Sequence, residues 1–229
     1  MGFSMLKNVA TIIVAALLVG AVVQPAMSIE DPSSRRDRQA REAQNLPSQA
    51  LEALNKQDAE AAIKLYTKAI DSGAFKSQPE TMGQLYFGRG QAYRLKKDCV
   101  AAIADFDKAA ELVKKGDIYY LRAGCYLDLN QEDKALADFD LAIQTDPQAA
   151  AYRKGRCIML FNKKDYARAI PDCDAALNAA PDDKVLLLAA SQAAEQTGSR
   201  ARAAELYRKL ITIDPGNPVA TEGLKRVAG

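Results

Sequence analysis

The sequence predicts an all-α protein, a right-handed α-solenoid of about five helix-turn-helix repeats closed by a short C-terminal capping helix. Three spacings carry that reading. Pro147, Pro181 and Pro215 lie 34 and 34 residues apart. Ala135, Ala169 and Ala203 keep the same interval, and so do Phe139, Cys173 and Tyr207. Upstream, Ala102 and Phe106 fall 33 residues before their counterparts, and Ala62 and Tyr66 a further 40. A period of this length marks supersecondary units that cannot bury an apolar face alone and do so by stacking on their neighbours.

Composition narrows the functional classes. Hydrophobic residues make up 48% and charged residues 26% of the 229, an ordinary folded composition. The net charge of +2 offers no bulk field for nucleic acid. Histidine is absent, which excludes Ser-His-Asp and Cys-His catalysis, His-containing metal motifs and an imidazole pH switch. No acid/base pair stands out from the helix-surface carboxylates, so no catalytic residue, metal ligand or cofactor is expected.

Residues 1–28 have the layout of a secretory signal. Lys7 is followed by the apolar run Val9 to Val23, then Gln24-Pro25, and Ala26-Met27-Ser28 presents small residues for cleavage after Ser28. The expected location is periplasmic or secreted. The alternative is an uncleaved inner-membrane anchor facing the periplasm, which would make the N-terminal segment the one membrane contact. Residues 29–45, with interleaved Arg and acidic side chains and almost no large apolar ones, read as a flexible linker.

The repeat units follow at about 46–80, 81–115, 116–149, 150–183 and 184–217, with the capping helix at 218–229. The first carries an inserted loop at Asp71 to Glu80. Within a unit, Tyr86, Arg89, Gly90 and Tyr93 recur at i, i+3, i+4 and i+7, one face of a first helix. Lys97-Asp98 marks the turn, and Asp98 is placed to cap the second helix, on which Ala102, Phe106 and Ala109 share a face. Proline ends second helices, because the residue before it avoids the helical region.

The pattern resembles the tetratricopeptide repeat of exported bacterial proteins. Tyr86-x2-Arg89-Gly90-x2-Tyr93 with Ala102-x3-Phe106 carries the likeness, as does Tyr119-x2-Arg122-Ala123-x2-Tyr126 with Ala135-x3-Phe139 and Pro147. Two departures stand out in the fourth unit. Arg153 occupies a large-apolar position, and Pro171 lies inside a second helix, where a kink is expected. The resemblance implies a concave groove of first helices that binds an extended peptide or partner helix. The repeat register places Phe87, Gln91, Arg94, Tyr120, Leu127, Lys154, Ile158, Phe161, Leu188 and Gln192 in it. Phe87, Tyr120, Phe161 and Leu188 would form an apolar stripe. Phe87 and Gln91 stand where the chaperone-tail clamp of cytosolic relatives needs Lys and Asn, so that activity is not implied. The implied function is a non-enzymatic scaffold for a protein partner.

Two further constellations are readable. Arg89, Arg122 and Arg156 occupy equivalent first-helix places, and Asp105, Asp138 and Asp172 equivalent second-helix places; both members vanish together in the outer units. Joint presence and joint loss predict structural Arg–Asp pairs rather than an anion-binding ladder. Cys157 and Cys173 lie at matching distances from one hairpin turn and are expected to form a disulfide. Cys99 and Cys125 are expected to meet across a repeat junction as a second bridge, the alternative being four buried thiols.

Overall fold

The computed structural model describes residues 31–229; the expected signal, with its cleavage point after Ser28, lies outside the described residues. Eleven α-helices and no strand occur among the described residues. They are α1 (Pro32–Asn55), α2 (Ala59–Asp71), α3 (Pro79–Leu95), α4 (Cys99–Leu112), α5 (Gly116–Asp128), α6 (Glu132–Thr145), α7 (Ala150–Asn162), α8 (Tyr166–Ala179), α9 (Lys184–Gln196), α10 (Arg200–Ile213) and α11 (Pro218–Ala228). Residues 42–229 form one compact unit. Within it α3–α4, α5–α6, α7–α8 and α9–α10 pack as antiparallel pairs, and α11 covers α10.

The periodic residues do what their spacing requires. Ala62, Ala102, Ala135, Ala169 and Ala203 are each 0% exposed, so the paired helices touch there with no side chain between them. Tyr66, Phe106, Phe139, Cys173 and Tyr207, four residues later, are buried beside those crossings. Each pair turns through a left-handed residue: Gln57, Lys97, Asn130, Lys164 and Gly198 have φ of 60°, 62°, 57°, 61° and 80°. At Lys97 that conformation sends the next amide, Asp98 N–H, back to the Tyr93 carbonyl at 2.9 Å, which closes the helix end. The Asp98 carboxylate then accepts from Ala101 N–H at 3.0 Å and caps α4, as the sequence predicts.

One expectation changes. Helix α1 reaches back to Pro32, so residues 32–45 of the expected linker are helical. Ala43, Leu46 and Ala50 are buried and anchor it, and the Arg, Gln, Glu and Ala residues ahead of them extend an existing helix readily. The Asp71–Glu80 insertion forms a loop between α2 and α3, as expected, and it buries Phe75 in the core of the first repeat. Pro171 does not interrupt α8. It lies exposed on the outer face, and its missing N–H withdraws only one bond, while Asp172 and Cys173 beside it keep their partners.

The capping helix is fixed by one half-buried carboxylate. Glu195 accepts from Arg226 Nε at 2.6 Å and Nη2 at 3.0 Å, and from the Tyr207 hydroxyl at 2.7 Å. Arg226 holds the Glu195 carboxyl below its ordinary 4.5. A carboxyl lowered on folding contributes stability that is complete above the unfolded value and disappears as the pH falls through the folded one. Glu195→Gln is therefore expected to speed amide exchange in α11 at about pH 7 and to make little difference at about pH 3. An equal difference at both pH values would remove the ion pair from the account.

Candidate functional site

The first helices α1, α3, α5 and α7 line a run of three cavities. The first, about 270 Å³, has an apolar floor of Leu51, Tyr66, Leu85 and Phe87, with Thr81, Gln84 and Gln91 at its edge. The second is a cleft of about 650 Å³ between the ends of α1, α3 and α5, lined by Leu51, Leu54, Leu95 and Leu121 together with Gln91, Arg94, Lys97 and Asp128. The third, about 390 Å³, is floored by Tyr120, Leu127, Phe139, Ile158 and Met159 and rimmed by Arg94, Glu132 and Asn162. Shared lining residues join them: Leu51 and Gln91 belong to the first two, Arg94 to the second and third.

The third cavity owes its depth to two glycines. A Cβ on Gly155 would sit 2.5 Å from the Phe139 ring and 3.0 Å from the Tyr120 ring, closer than packed atoms approach. Its absence lets both rings settle against bare α7 backbone. Gly124 leaves the opposite wall open, and the Arg94 guanidinium lies across it, with Nη2 3.7 Å from where a Cβ would be.

Six of the ten predicted groove residues line these cavities: Phe87, Gln91, Arg94, Tyr120, Leu127 and Ile158. The other four do not. Lys154 is held by Asp183. Phe161 packs on the Tyr166 ring, centroids 5.7 Å apart, and Leu188 packs on the C-terminal core. Gln192 is half-buried and lines none of the three. Of the predicted apolar stripe, Phe87 and Tyr120 line the cavities, while Phe161 and Leu188 pack against the C-terminal core where α9 meets α7. Phe87 and Tyr120 are themselves half-buried: Phe87 lies 6.0 Å from the Phe106 ring, and Tyr120 lies 6.0 Å from Phe139 and 5.3 Å from Tyr152. Sequence reasoning missed Phe139 and Met159, which belong to one buried cluster; Phe139 comes to the cavity where Gly155 lacks a side chain.

The arginine column is a structural ladder. Arg122 donates from Nε and Nη2 to both Asp138 oxygens at 2.8 and 2.7 Å, and from Nη1 to Asp107 of the preceding unit at 2.6 Å. Arg156 repeats this with Asp172 at 2.6 and 2.8 Å and Asp140 at 2.5 Å. Arg89 does so with Asp105 at 2.8 Å twice, and with Thr67 at 3.1 Å in place of the second carboxylate. Each arginine thus ties its own helix pair to the one before. Arg153, the departure from the apolar pattern, adds a bond to Asp172 at 3.3 Å.

Cys157 and Cys173 are joined in a disulfide with their α-carbons 5.2 Å apart, as the hairpin geometry predicts. Cys99 and Cys125 are not joined; both are buried free thiols, and Cys99 donates to Asp128 at 3.4 Å. The second expected bridge is therefore corrected. Burial pushes the Cys125 thiol up to about 12, so it carries little thiolate near neutral pH. No group of side chains suited to a metal ion occurs among the described residues, and no described helix is long and apolar enough to cross a membrane.

These helix pairs, stacked in register with one pairing geometry, define a repeat scaffold. The tetratricopeptide repeat family profile matches residues 48–116, 126–184 and 160–218, well over half of the chain, and the chain belongs to that family. It is 28% identical over 138 residues to human serine/threonine-protein phosphatase 5, 58% of this chain and 26% of that one. It is 25% identical over 137 residues to human mitochondrial import receptor subunit TOM70, 56% of this chain and 22% of that one. The chain spans about a quarter of the length of these curated relatives. Among solved structures, YrrB, described as a TPR protein with an unusual peptide-binding site, superposes with a TM-score of 0.64 at 22% identity, over 77% of this chain and 88% of that one. MamA gives 0.64 at 17% identity, over 76% and 92%. Both likenesses concern the fold.

Proposed function

We propose that the chain is a non-enzymatic interaction scaffold of the cell envelope that holds an extended peptide or helix of a partner protein in the groove of α1, α3, α5 and α7. The observation that carries this is the run of three joined cavities with apolar floors. Side chains of an extended segment can enter such cavities in turn. The YrrB likeness adds support, since that protein of the same fold is described as having a peptide-binding site. Membership of the family favours protein partners over substrates. Envelope location rests on the sequence of residues 1–28 alone.

The test uses a photo-crosslinking amino acid at position 158 in the native host, with position 208, exposed on α10, as control. Adducts from position 158 alone are expected, carried by a chain whose N-terminus is Ile29. Adducts from both positions, or from neither, would defeat the groove assignment. A chain that retains residues 1–28 would replace the exported protein with a tethered one. Tyr120→Ala is expected to weaken the captured partner by about 1–3 kcal/mol. Because the ring also packs on Phe139 and Tyr152, its melting temperature should fall as well.

A further inference from the structure

Arg94 is an uncompensated charge of the groove. The arginines of the ladder are saturated: Arg89 by Asp105, Arg122 by Asp138, Arg156 by Asp172. Lys154 is held by Asp183, and Glu132, on the rim of the third cavity, is held by Lys163 at 2.9 Å. Arg94, exposed in the last turn of α3, makes no ion pair or side-chain hydrogen bond among the described residues. Its position is central, for it lines both the cleft and the third cavity. Within the cleft, Arg94 and Lys97 face one carboxylate, Asp128, which leaves a surplus positive charge. Asp128 is engaged by the Cys99 thiol at 3.4 Å and does not reach Arg94. The guanidinium rests on the open backbone of Gly124, which holds it over the groove and leaves its outward N–H groups for a ligand.

Building on the groove reading, we propose that the occupant is an extended partner segment in which an acidic side chain lies within a few residues of a large aliphatic or aromatic one. The carboxylate pairs with Arg94, and the apolar side chain fills the cavity floored by Tyr120, Leu127, Ile158 and Met159. The two halves of the site reinforce each other. Filling the apolar cavity shields Arg94 from water on that side, and a partly desolvated guanidinium–carboxylate pair is stronger than an exposed one. A basic segment would meet Arg94 and Lys97 as like charges, so the same residues reject as well as select.

The test is selection of a random nine-residue peptide library, with both termini blocked, on the full chain and on its Arg94→Glu variant. The wild-type chain is expected to enrich peptides that combine Asp or Glu with Leu, Ile or Phe, and a crosslinker at position 158 should capture them. Arg94→Glu should lose the acidic preference and favour basic residues. Arg94→Gln should bind a selected peptide about tenfold more weakly at low salt, less so at high salt, with unchanged melting. Apolar peptides without an acidic preference, still captured at position 158, would overturn the charge proposal and leave the groove standing. Peptides that bind without capture at position 158, or no enrichment at all, would overturn both.

Discussion

Replacing Arg122 with alanine is expected to lower folding stability by about 3–4 kcal/mol, since the loss of one partner strands a buried charge. The Asp138 side chain is 5% exposed, and both of its oxygens are satisfied by this one guanidinium. The Arg122 side chain is itself only 14% exposed, so the vacated place is poorly open to water. Asp107, the third member, is 48% exposed and should rehydrate at little cost. The predicted loss therefore belongs to Asp138, and a double change of Arg122→Ala with Asp138→Ala should recover a large part of it. Arg122→Ala with Asp107→Ala should recover none. Chemical denaturation of the four chains closes the cycle; losses that simply add would show that Arg122 and Asp138 are not coupled. Replacing the pair by Met and Leu should come near the parent in stability, because well-packed apolar groups often match a buried ion pair. What the pair then supplies is register. It fixes which face of α5 meets α6, and through Asp107 how the unit docks on its neighbour.

How far this was readable can be said residue by residue. The repeats were legible because every unit solves the same packing problem with the same small residue at the crossing, so Ala102, Ala135, Ala169 and Ala203 keep time along the chain. The inner Arg–Asp pairs were legible because both members disappear together. Their outer partners were not: Asp107 and Asp140 are 48% and 53% exposed, and nothing in sequence separates them from solvated helix carboxylates. The lining of the cavities was half legible. Periodicity gives the phase of each first helix and so placed Arg94, Tyr120, Leu127 and Ile158, but it does not say how closely the next repeat approaches. That approach packs the half-buried Phe161 and Leu188 against the C-terminal core. The same limit explains Cys99 and Cys125. Helix phase brings them to one junction, whereas a bond depends on the lateral shift between units, which spacing does not encode.

Loss of the Cys157–Cys173 bond should be the other large effect, about 3 kcal/mol for a 16-residue closure when treated as unfolded-chain entropy. Its two cysteines lie on α7 and α8, within one antiparallel pair, so the bond restrains the unfolded hairpin rather than joining separate repeats. Both are 0% exposed and share a buried apolar cluster with Leu160, Ala169, Ala176 and Leu187. Cys157→Ala with Cys173→Ala should therefore lose the chain restraint and gain a small cavity. Cys157→Ser with Cys173→Ser should lose more, because two hydroxyls enter an apolar site. Reductant should shift the parent's melting curve towards that of the alanine pair and leave the alanine pair itself unmoved. Mass spectrometry of a non-reduced digest, after alkylation of free thiols, should find Cys99 and Cys125 modified and the peptides of Cys157 and Cys173 linked. Four alkylated cysteines would dismiss the bridge. Melting that ignores both reductant and the double substitution would leave the bond present without energetic consequence. The fourth unit is where such a restraint matters most: Pro171 withdraws a hydrogen bond from α8, and the bridge two residues further on secures the helix to α7 where its own ladder is weakest.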